Sequence, residues 1–583
     1  MASFGEKYTT GAGKSVSMAD DAGGSRVSTL SSRLSSLGSG LKLKALSCKY
    51  ALKERSYFDL KPCKAQNEGP EIACSELFWA TAYSDGGGPV YVSRHESVGR
   101  IEQDCALVNG HNSAVSDIAF SPFQPTLMAT ASADCTVKLW QLPRDGPLPS
   151  LGASDSAATF SGFGNSVRTA VFHPTCDNIL AVSGLDKTVT FLDCEKQEKL
   201  ITFELSAACE DLAETPAISN MSFNYDGSAY ALACKDRRVR IVDPRLPSES
   251  VSALPTPLRV IWDASWAVLY LTASDPFILF SALLLFLYFF TLIPPQAIVA
   301  QSPVNGPLGR NLRVEWCSSG STLNSALLTV SVASGGMRSI HMWDPRNWDA
   351  PLCTRAIDTA AGQLYPMFDP CTSACYVVGK GDTLVRAYEV NIMSEESADG
   401  EKTVSAICDR AAEFPASLDR TTFAGVCLLP VRLCNVREIE CARFLKLTTT
   451  SVVPASVTVA RAEHMRAYFQ DDIYSTVKST TQHHTAEDFR NWLSEPGAFI
   501  GPAEESLQPA DMMPLSEKPA VAPKESRVSS FRAAKEQEER ELREKEDEMR
   551  RLTQLANVNA QYNQNKSMGT EEVDSDDNWG DDP

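Results

Sequence analysis

The chain has 583 residues, 43% of them apolar, which is enough to bury at least one large core and leave room for extensions. Its formal net charge of −19 excludes binding of nucleic acid or anionic lipid through bulk charge, so an acidic partner has to be met by a local basic patch. Seventeen cysteines without a CxxC pair, the closest being Cys371 and Cys375, together with only seven histidines, indicate neither a zinc framework nor a disulfide ladder. Reduced thiols in the cytosol are expected, and no cofactor or metal is called for. The start, `MASFGEKYTT`, lacks the basic and apolar stretches of a signal peptide, and Ala2 stands where myristoylation needs glycine, so no secretory route is expected.

Residues 1–46 are rich in Ser and Gly and poor in aromatics, a composition that cannot offset the entropy of ordering, and they are expected to form a disordered leader. The `GAGKS` within it has Tyr8 where a phosphate-cradling loop needs glycine, and no strand precedes it; a linker is the better reading.

The middle of the chain repeats. `NGHNSAVSDIAFSPFQPTLMATASADCTVKLWQL` (Asn109 to Leu142), `SGFGNSVRTAVFHPTCDNILAVSGLDKTVTFLDC` and `ISNMSFNYDGSAYALACKDRRVRIVDPR` each combine alternating apolar residues and a Pro/Asn/Asp/Gly turn with a second apolar run. An acid in a tight turn and a third strand come next. Strand-ending positions Trp140, Leu192 and Val242 are 52 and 50 residues apart, and later units end at Trp343 and Tyr388. The pattern predicts four-stranded blades in a ring, an arrangement that hides most sheet edges. In the first clear repeat, His111, Ser132, Asp134 and Trp140 form the expected structural tetrad: a turn carboxylate accepts from an imidazole oriented by a hydroxyl and an indole. A catalytic Ser/His/Asp reading would also need an oxyanion hole in a cleft. Other repeats replace these residues (Phe163 for the histidine, Leu192-Asp193 and Val242-Asp243 for Trp-Asp), a drift that packing tolerates better than chemistry, and no enzyme is expected.

The runs `ACKDRRVRIVDPR`, `VVGKGDTLVRAYEV` (Val377 to Val390), `REIECARFLKL` (Arg437 to Leu447) and `YFQDDIYSTV` followed by `TAEDFRNWL` resemble the coronins, actin-filament-binding WD-repeat proteins, over about Ser47 to Leu493. The resemblance implies an all-β seven-bladed propeller over residues 47–460, in which an N-terminal strand completes the last blade, with a strap at 461–493 beneath it. `GGGPVYV` (Gly86 to Val92) then belongs to the first blade and Phe423 to Val459 to the last. The family's N-terminal basic segment, a lysine, an aromatic, arginine and histidine, here reads Lys49, Tyr50, Ala51, Leu52, so half of the cluster is absent. Contact with filamentous actin, itself acidic, then needs focused positive charge. Besides Lys49, the candidates are Lys235, Arg237, Arg238 and Arg240 on one blade turn; the other reading of that turn is a solvated strand edge protected by its charges.

Residues 494–531 are proline-rich and expected to be a disordered linker. Residues 532–561 carry strong helix formers with charges of both signs and should be helical. Leu542, Met549, Leu552 and Ala556 fall at heptad seam positions, although Lys545 interrupts them, so a short coiled coil for self-association and a single solvated helix are both open. Coronins carry such a coiled coil, often with a trimer-favouring motif of which `RLTQLA` keeps the arginine and leucines but not the acid. The acidic end at 562–583 includes Asp576, Asp577, Trp579, Asp581 and Asp582. It resembles the acidic-tryptophan ends that engage the actin-related-protein branching complex: carboxylates steer and the indole anchors. A plain solubilising tail is the other reading.

The run Phe277 to Ile293 has 17 uncharged residues and qualifies by hydropathy as a short membrane span, which would give a membrane location. A single span there would place the two halves of one ring on opposite sides of a bilayer about 30 Å thick, so none is expected in the working protein. Trp343 lies 101 residues after Val242, about twice the repeat, yet the interval holds one recognisable blade; removing the 46 residues 251–296 restores a spacing of 55. A retained intron translated in frame is the favoured explanation, and a degenerate extra blade suggested by `LRVIW` and `LRVEW` is the alternative. The expected function is that of a cytoplasmic actin regulator at the cell cortex. It would link filaments, self-associate and contact the branching complex. A general WD-repeat scaffold for trafficking or ubiquitination is the alternative.

Overall fold

The computed structural model describes residues 42–568 apart from 44, 64–68, 85–87, 206–215, 246–297, 303–306, 319–324, 397–401, 416–420, 495–500 and 518–526. Seven antiparallel sheets succeed one another along the chain. Blade 1 has its core strands at Ile72–Cys74, Phe78–Ala82, Val90–Arg94 and Leu107–Asn109; blade 2 at Val115–Phe120, Leu127–Ser132, Val137–Gln141 and Ala158–Phe160; blade 3 at Val167–Phe172, Ile179–Gly184, Thr188–Asp193 and Glu198–Glu204. Blade 4 comprises Ile218–Phe223, Tyr230–Cys234, Val239–Val242 and Ile298–Gln301; blade 5 Arg310–Ser318, Ser325–Val332, Met337–Trp343 and Cys353–Thr359; blade 6 Leu364–Asp369, Ala374–Gly379, Leu384–Glu396 and Lys402–Pro415. Blade 7 takes Gly425–Leu428, Glu440–Leu447 and Ser451–Val459 from late in the chain, and its last strand from the beginning: Leu46–Tyr50 runs antiparallel to Ser451–Val459, with Lys49 opposite Ser456. This shared sheet closes the ring, as expected.

The first strands of all seven blades line one axial cavity of about 350 Å³. The second strands lie between neighbouring sheets and are covered on both faces. Every residue of Leu127–Ser132, Ile179–Gly184 and Ala374–Gly379 is therefore buried, and these strands read as continuous apolar or small runs rather than alternating ones. Thr130 and Thr329, both on second strands, each receive an indole N–H, in line with the general pairing of buried polar groups.

The strap comes after blade 7. Phe469, Ile473, Tyr474 and Val477 are buried against blades 6 and 7. The helix Ala486–Ser494 then lays Phe489 and Trp492 onto blades 3 and 4, where Phe489 stacks on Phe191 and meets His173 edge-on. Thr485 starts this helix: its hydroxyl accepts from Asp488 N while its own N–H donates to the Asp488 carboxylate. The linker expectation fails for residues 501–517. Glu504–Glu505 pairs with Val477–Lys478, Met512 is buried in the same cluster, and Tyr225 donates its hydroxyl to Glu504 at 2.9 Å. Prolines do not oppose this, because an extended segment at a sheet edge needs few of its own N–H groups in a ladder.

The insert at 251–296 lies outside the described residues, but the strands on either side of it do not. Val242 and Ile298 are direct antiparallel partners, so blade 4 is complete and the extra chain enters and leaves within one hairpin. Among the described residues, no helix is long and apolar enough to cross a membrane. None of the sixteen described cysteines is in a disulfide.

A second unit consists of one helix, Arg527–Met568, longer at both ends than the 532–561 expected from composition. Leu542, Met549, Leu552, Leu555 and Val558 are each more than half exposed on it.

Candidate functional site

The predicted tetrad is present with one member exchanged. His111 Nδ1 lies 3.0 Å from Asp134 Oδ2 and its Nε2 lies 2.8 Å from Thr130 Oγ1, which also accepts from Trp140 Nε1 at 2.9 Å. The hydroxyl is thus Thr130 and not Ser132, whose Oγ instead donates to Ala114 O and accepts from Asp134 N. Strand register gives the reason. Thr130 faces Lys138, so it is the diagonal neighbour of Trp140 on the same face, whereas Ser132 lies one pleat further along. Burial lowers the pKa of His111 despite the adjacent carboxylate. Burial would raise Asp134, but donors from Thr136, Asn112 and His111 outweigh it and hold the carboxylate below its usual range. An imidazole with a partner at each ring nitrogen, tied through Thr130 to the Trp140 indole, is a structural fastener. Blade 5 repeats the fastener in part, Trp343 Nε1 donating to Thr329 Oγ1 at 2.9 Å.

Blades 5 and 6 are joined by charge. Arg338, with 1% of its side chain exposed, meets Asp358 at 2.5 Å and Asp382 at 2.8 Å, and Arg386 meets the same two carboxylates at 2.5 and 3.0 Å. Hydrogen bonds from Arg338 hold Asp358 below the ordinary carboxylate range. These residues escaped the sequence reading; an Arg four residues after a turn aspartate is the signal that marks Asp382 and Arg386, while Arg338 carries no such mark.

The same signal corrects the basic-turn candidates. Arg240 stands four residues after Asp236, is fully buried, and pairs with it at 2.6 Å. It belongs to the interior of blade 4 and not to a surface patch. Lys235 and Arg237 are exposed at the tip of that hairpin and Arg238 is half-buried beside them. Lys235 and Arg237 line a second, wider cavity of about 850 Å³, to which Arg310 from the start of blade 5 and Lys380 from the turn of blade 6 also contribute. The cavity adjoins the axial one at Ser219, which lines both. The sequence reading missed Arg310 and Lys380, since only the closed ring brings them to the blade 4 turn. Lys49 is exposed on the outer strand of blade 7, in a different part of the ring from that turn.

Leu542, Met549, Leu552 and Ala556 lie on the C-terminal helix with exposed side chains. The tail candidates Asp576, Asp577, Trp579, Asp581 and Asp582 lie outside the described residues, as does the leader up to residue 41.

Residues 103–141 match the family described as WD domain, G-beta repeat. Human Coronin-2A is 27% identical over 468 residues, covering 79% of this chain and 74% of that protein, and Coronin-A of Dictyostelium discoideum is 28% identical over 443 residues, covering 76% and 80%. Human Coronin-7 is 25% identical over 488 residues, and there the chain spans 43% of the relative's length. Among solved structures, the WD40 domain of Toxoplasma gondii coronin superposes with a TM-score of 0.60 at 22% identity, covering 80% of this chain and 99% of that domain, which shows a shared fold.

Proposed function

We propose, from the premise that this chain is a coronin-like WD-repeat protein, that it is a non-enzymatic regulator of actin filaments in the cytoplasm. The observation that carries this is the exposed basic tip of blade 4, Lys235 and Arg237 with Arg238 beside it, on a chain of net charge −19. An acidic filament is repelled by the chain as a whole and attracted only at such a focus, so the contact is short-ranged and weakens steeply with salt.

The other parts multiply that contact. The helix Arg527–Met568, about 63 Å long at 1.5 Å per residue, exposes an apolar series that self-association would cover, with Leu542, Met549, Leu552 and Ala556 on the seam. Copies joined in this way bind a filament with avidity and link filaments to one another. The acidic end with Trp579 is the contact to the branching complex, steered by Asp576, Asp577, Asp581 and Asp582. Cosedimentation with actin filaments across a salt series, with the full chain and with one ending at Pro523, tests the proposal. Pelleting at low salt by both chains, with an effect on branching only from the longer one, is expected. Absence of pelleting at low salt would transfer the propeller to the scaffold class.

A further inference from the structure

We infer that the 850 Å³ funnel beside the axis is a binding site for an acidic, extended peptide segment, sharing Lys235 and Arg237 with the proposed filament contact. Its walls are the tips of blades 4, 6 and 7 and the loops leading into blades 5, 6 and 7. Four basic side chains line it: Lys235, Arg237, Arg310 and Lys380. Among the described residues that line it none is acidic, although acids outnumber bases 73 to 54 in the chain. Lys380 is held by Glu71 at 2.7 Å, so the wall keeps a net positive charge after that pair is subtracted.

The arrangement favours a peptide over a compact phosphate cluster. The cations stand on three successive blades instead of converging on one point, which matches carboxylates spaced along a chain. Between them the wall includes Gly309, which is buried, and the more accessible Gly362 and Gly381. A Cβ at Gly309 would come within 2.1 Å of Val332 O, and one at Gly362 within 2.4 Å of Lys380 O, so these stretches are packed backbone that cannot accept side chains. Cations spaced along a wall of such packed backbone offer an extended ligand successive ion pairs, and an arginine fork fits a carboxylate with two bonds.

A second observation comes from backbone geometry. Arg237 has φ 65°, the left-handed region that favours glycine. Cys135 and Lys187 occupy the equivalent turn position in blades 2 and 3 with φ 61° and 65°, so the turn itself imposes the conformation. The turn of blade 4 therefore holds an arginine where glycine would sit with less strain, and this residue lines the funnel.

This separates binding from folding in the test. The full chain is titrated into a fluorescein-labelled nine-residue peptide of alternating Asp and Glu around one central Leu, read by anisotropy. A charge-reversed Lys peptide and inositol hexakisphosphate are the comparison ligands, and the solution contains no actin. Saturable binding of the acidic peptide is expected, with no binding of the reversed one. Arg237→Gly and Arg310→Ala should each weaken it at least tenfold. The unfolding midpoint of R237G should stay equal to or above that of the parent chain, since glycine relieves the turn. Unchanged affinity in both variants overturns the assignment, as does tight binding of inositol hexakisphosphate that the peptide cannot displace. Because no filament is present, failure here leaves the actin reading untouched, and failure of cosedimentation leaves this one untouched.

Discussion

Deleting residues 251–296 should leave a propeller that folds and is more stable than the parent. In the intact chain, 55 residues connect Val242 to its partner Ile298. The deletion leaves nine, Asp243 to Ser250 and Ala297, the same number that joins Trp343 to Cys353 in blade 5. Both connectors open with Asp-Pro-Arg and build the same turn. Asp243 accepts from Arg245 N at 2.9 Å and pairs with its guanidinium at 3.0 Å, while Asp344 accepts from Arg346 N at 3.0 Å and pairs with it at 3.1 Å. Arg245 also lies 4.8 Å over the ring of Trp492, so the start of the connector is fastened without help from the residues beyond it. Loop-closure entropy grows as (3/2)RT ln n, so shortening the connector from 55 to nine residues stabilises the fold by about 1.6 kcal/mol, roughly 15-fold in the folding equilibrium. Equilibrium guanidinium unfolding, monitored through the buried tryptophans, measures it as a higher midpoint with little change in slope. A deletion variant that aggregates, or whose midpoint falls, would refute the reasoning and assign the segment contacts of its own. Sequencing of mature transcripts tests the origin of the segment separately, and finding these 46 codons in most messages would rule out a retained intron.

Thr130→Val should strand both the Trp140 indole N–H and His111 Nε2 inside blade 2, costing about 1–3 kcal/mol for each buried group left unpaired. Ser132→Ala should cost less by the same unfolding assay, and the reverse order would restore Ser132 to the tetrad. Arg338→Ala leaves Asp358 and Asp382 with Arg386 alone at the joint of blades 5 and 6; breaking a buried pair from one side costs about 3–5 kcal/mol, and a loss under 1 kcal/mol would show the cluster to be ornamental. His173 is fully buried beneath the strap, and burial lowers its pKa to about 3. Since an unfolded histidine titrates near ~6.5, the folded state takes up no proton in that range while the unfolded state does. Stability contributed by neutral His173 is thus present above pH ~6.5 and is lost as pH falls from there toward 3. His173→Gln should flatten that limb of the stability-against-pH curve, and an unchanged limb would exclude His173 as its source. Leu552→Lys should lower the sedimentation-equilibrium mass of the full chain toward the monomer if the exposed helix series is the association surface; an unchanged oligomer would place that surface elsewhere.

The ring was legible because each blade is built from local signals. Alternation in the first strand, a continuous small-residue run in the second and an aspartate in the next turn all lie within about fifty residues, and tolerance at any one of them leaves the others readable. Contacts that cross between strands and blades were not legible. Thr130 and Ser132 are both hydroxyls on one strand face, and only the register, which sets Thr130 opposite Lys138, decides which of them the indole reaches. Arg240 looked like its neighbours Arg237 and Arg238 because three basic residues in four positions suggest a surface. Arg237 and Arg238 belong to the turn, whereas Arg240 lies inside the strand opposite Leu232, where Asp236 is within reach of its buried guanidinium. Residues 501–517 were lost to composition, since proline and acid content report the absence of a core but not the presence of an edge to lean on, which Val477–Lys478 supplies.

The same distinction bears on where function resides. A fastener such as the His111 tetrad can be read from one repeat, because it serves that repeat and recurs with it. The funnel draws Arg237, Arg310 and Lys380 from three repeats that are each ordinary in sequence. Its charge exists only once the ring has closed, and closure depends on the strand Leu46–Tyr50 returning to blade 7. Removing residues 1–50 should therefore abolish binding of the acidic peptide even though none of the funnel residues is touched. Loss of the outer strand alone, with Arg237, Arg310 and Lys380 still presenting an intact site, would instead leave that affinity unchanged and show that blades 4 to 7 hold the funnel without the closed ring.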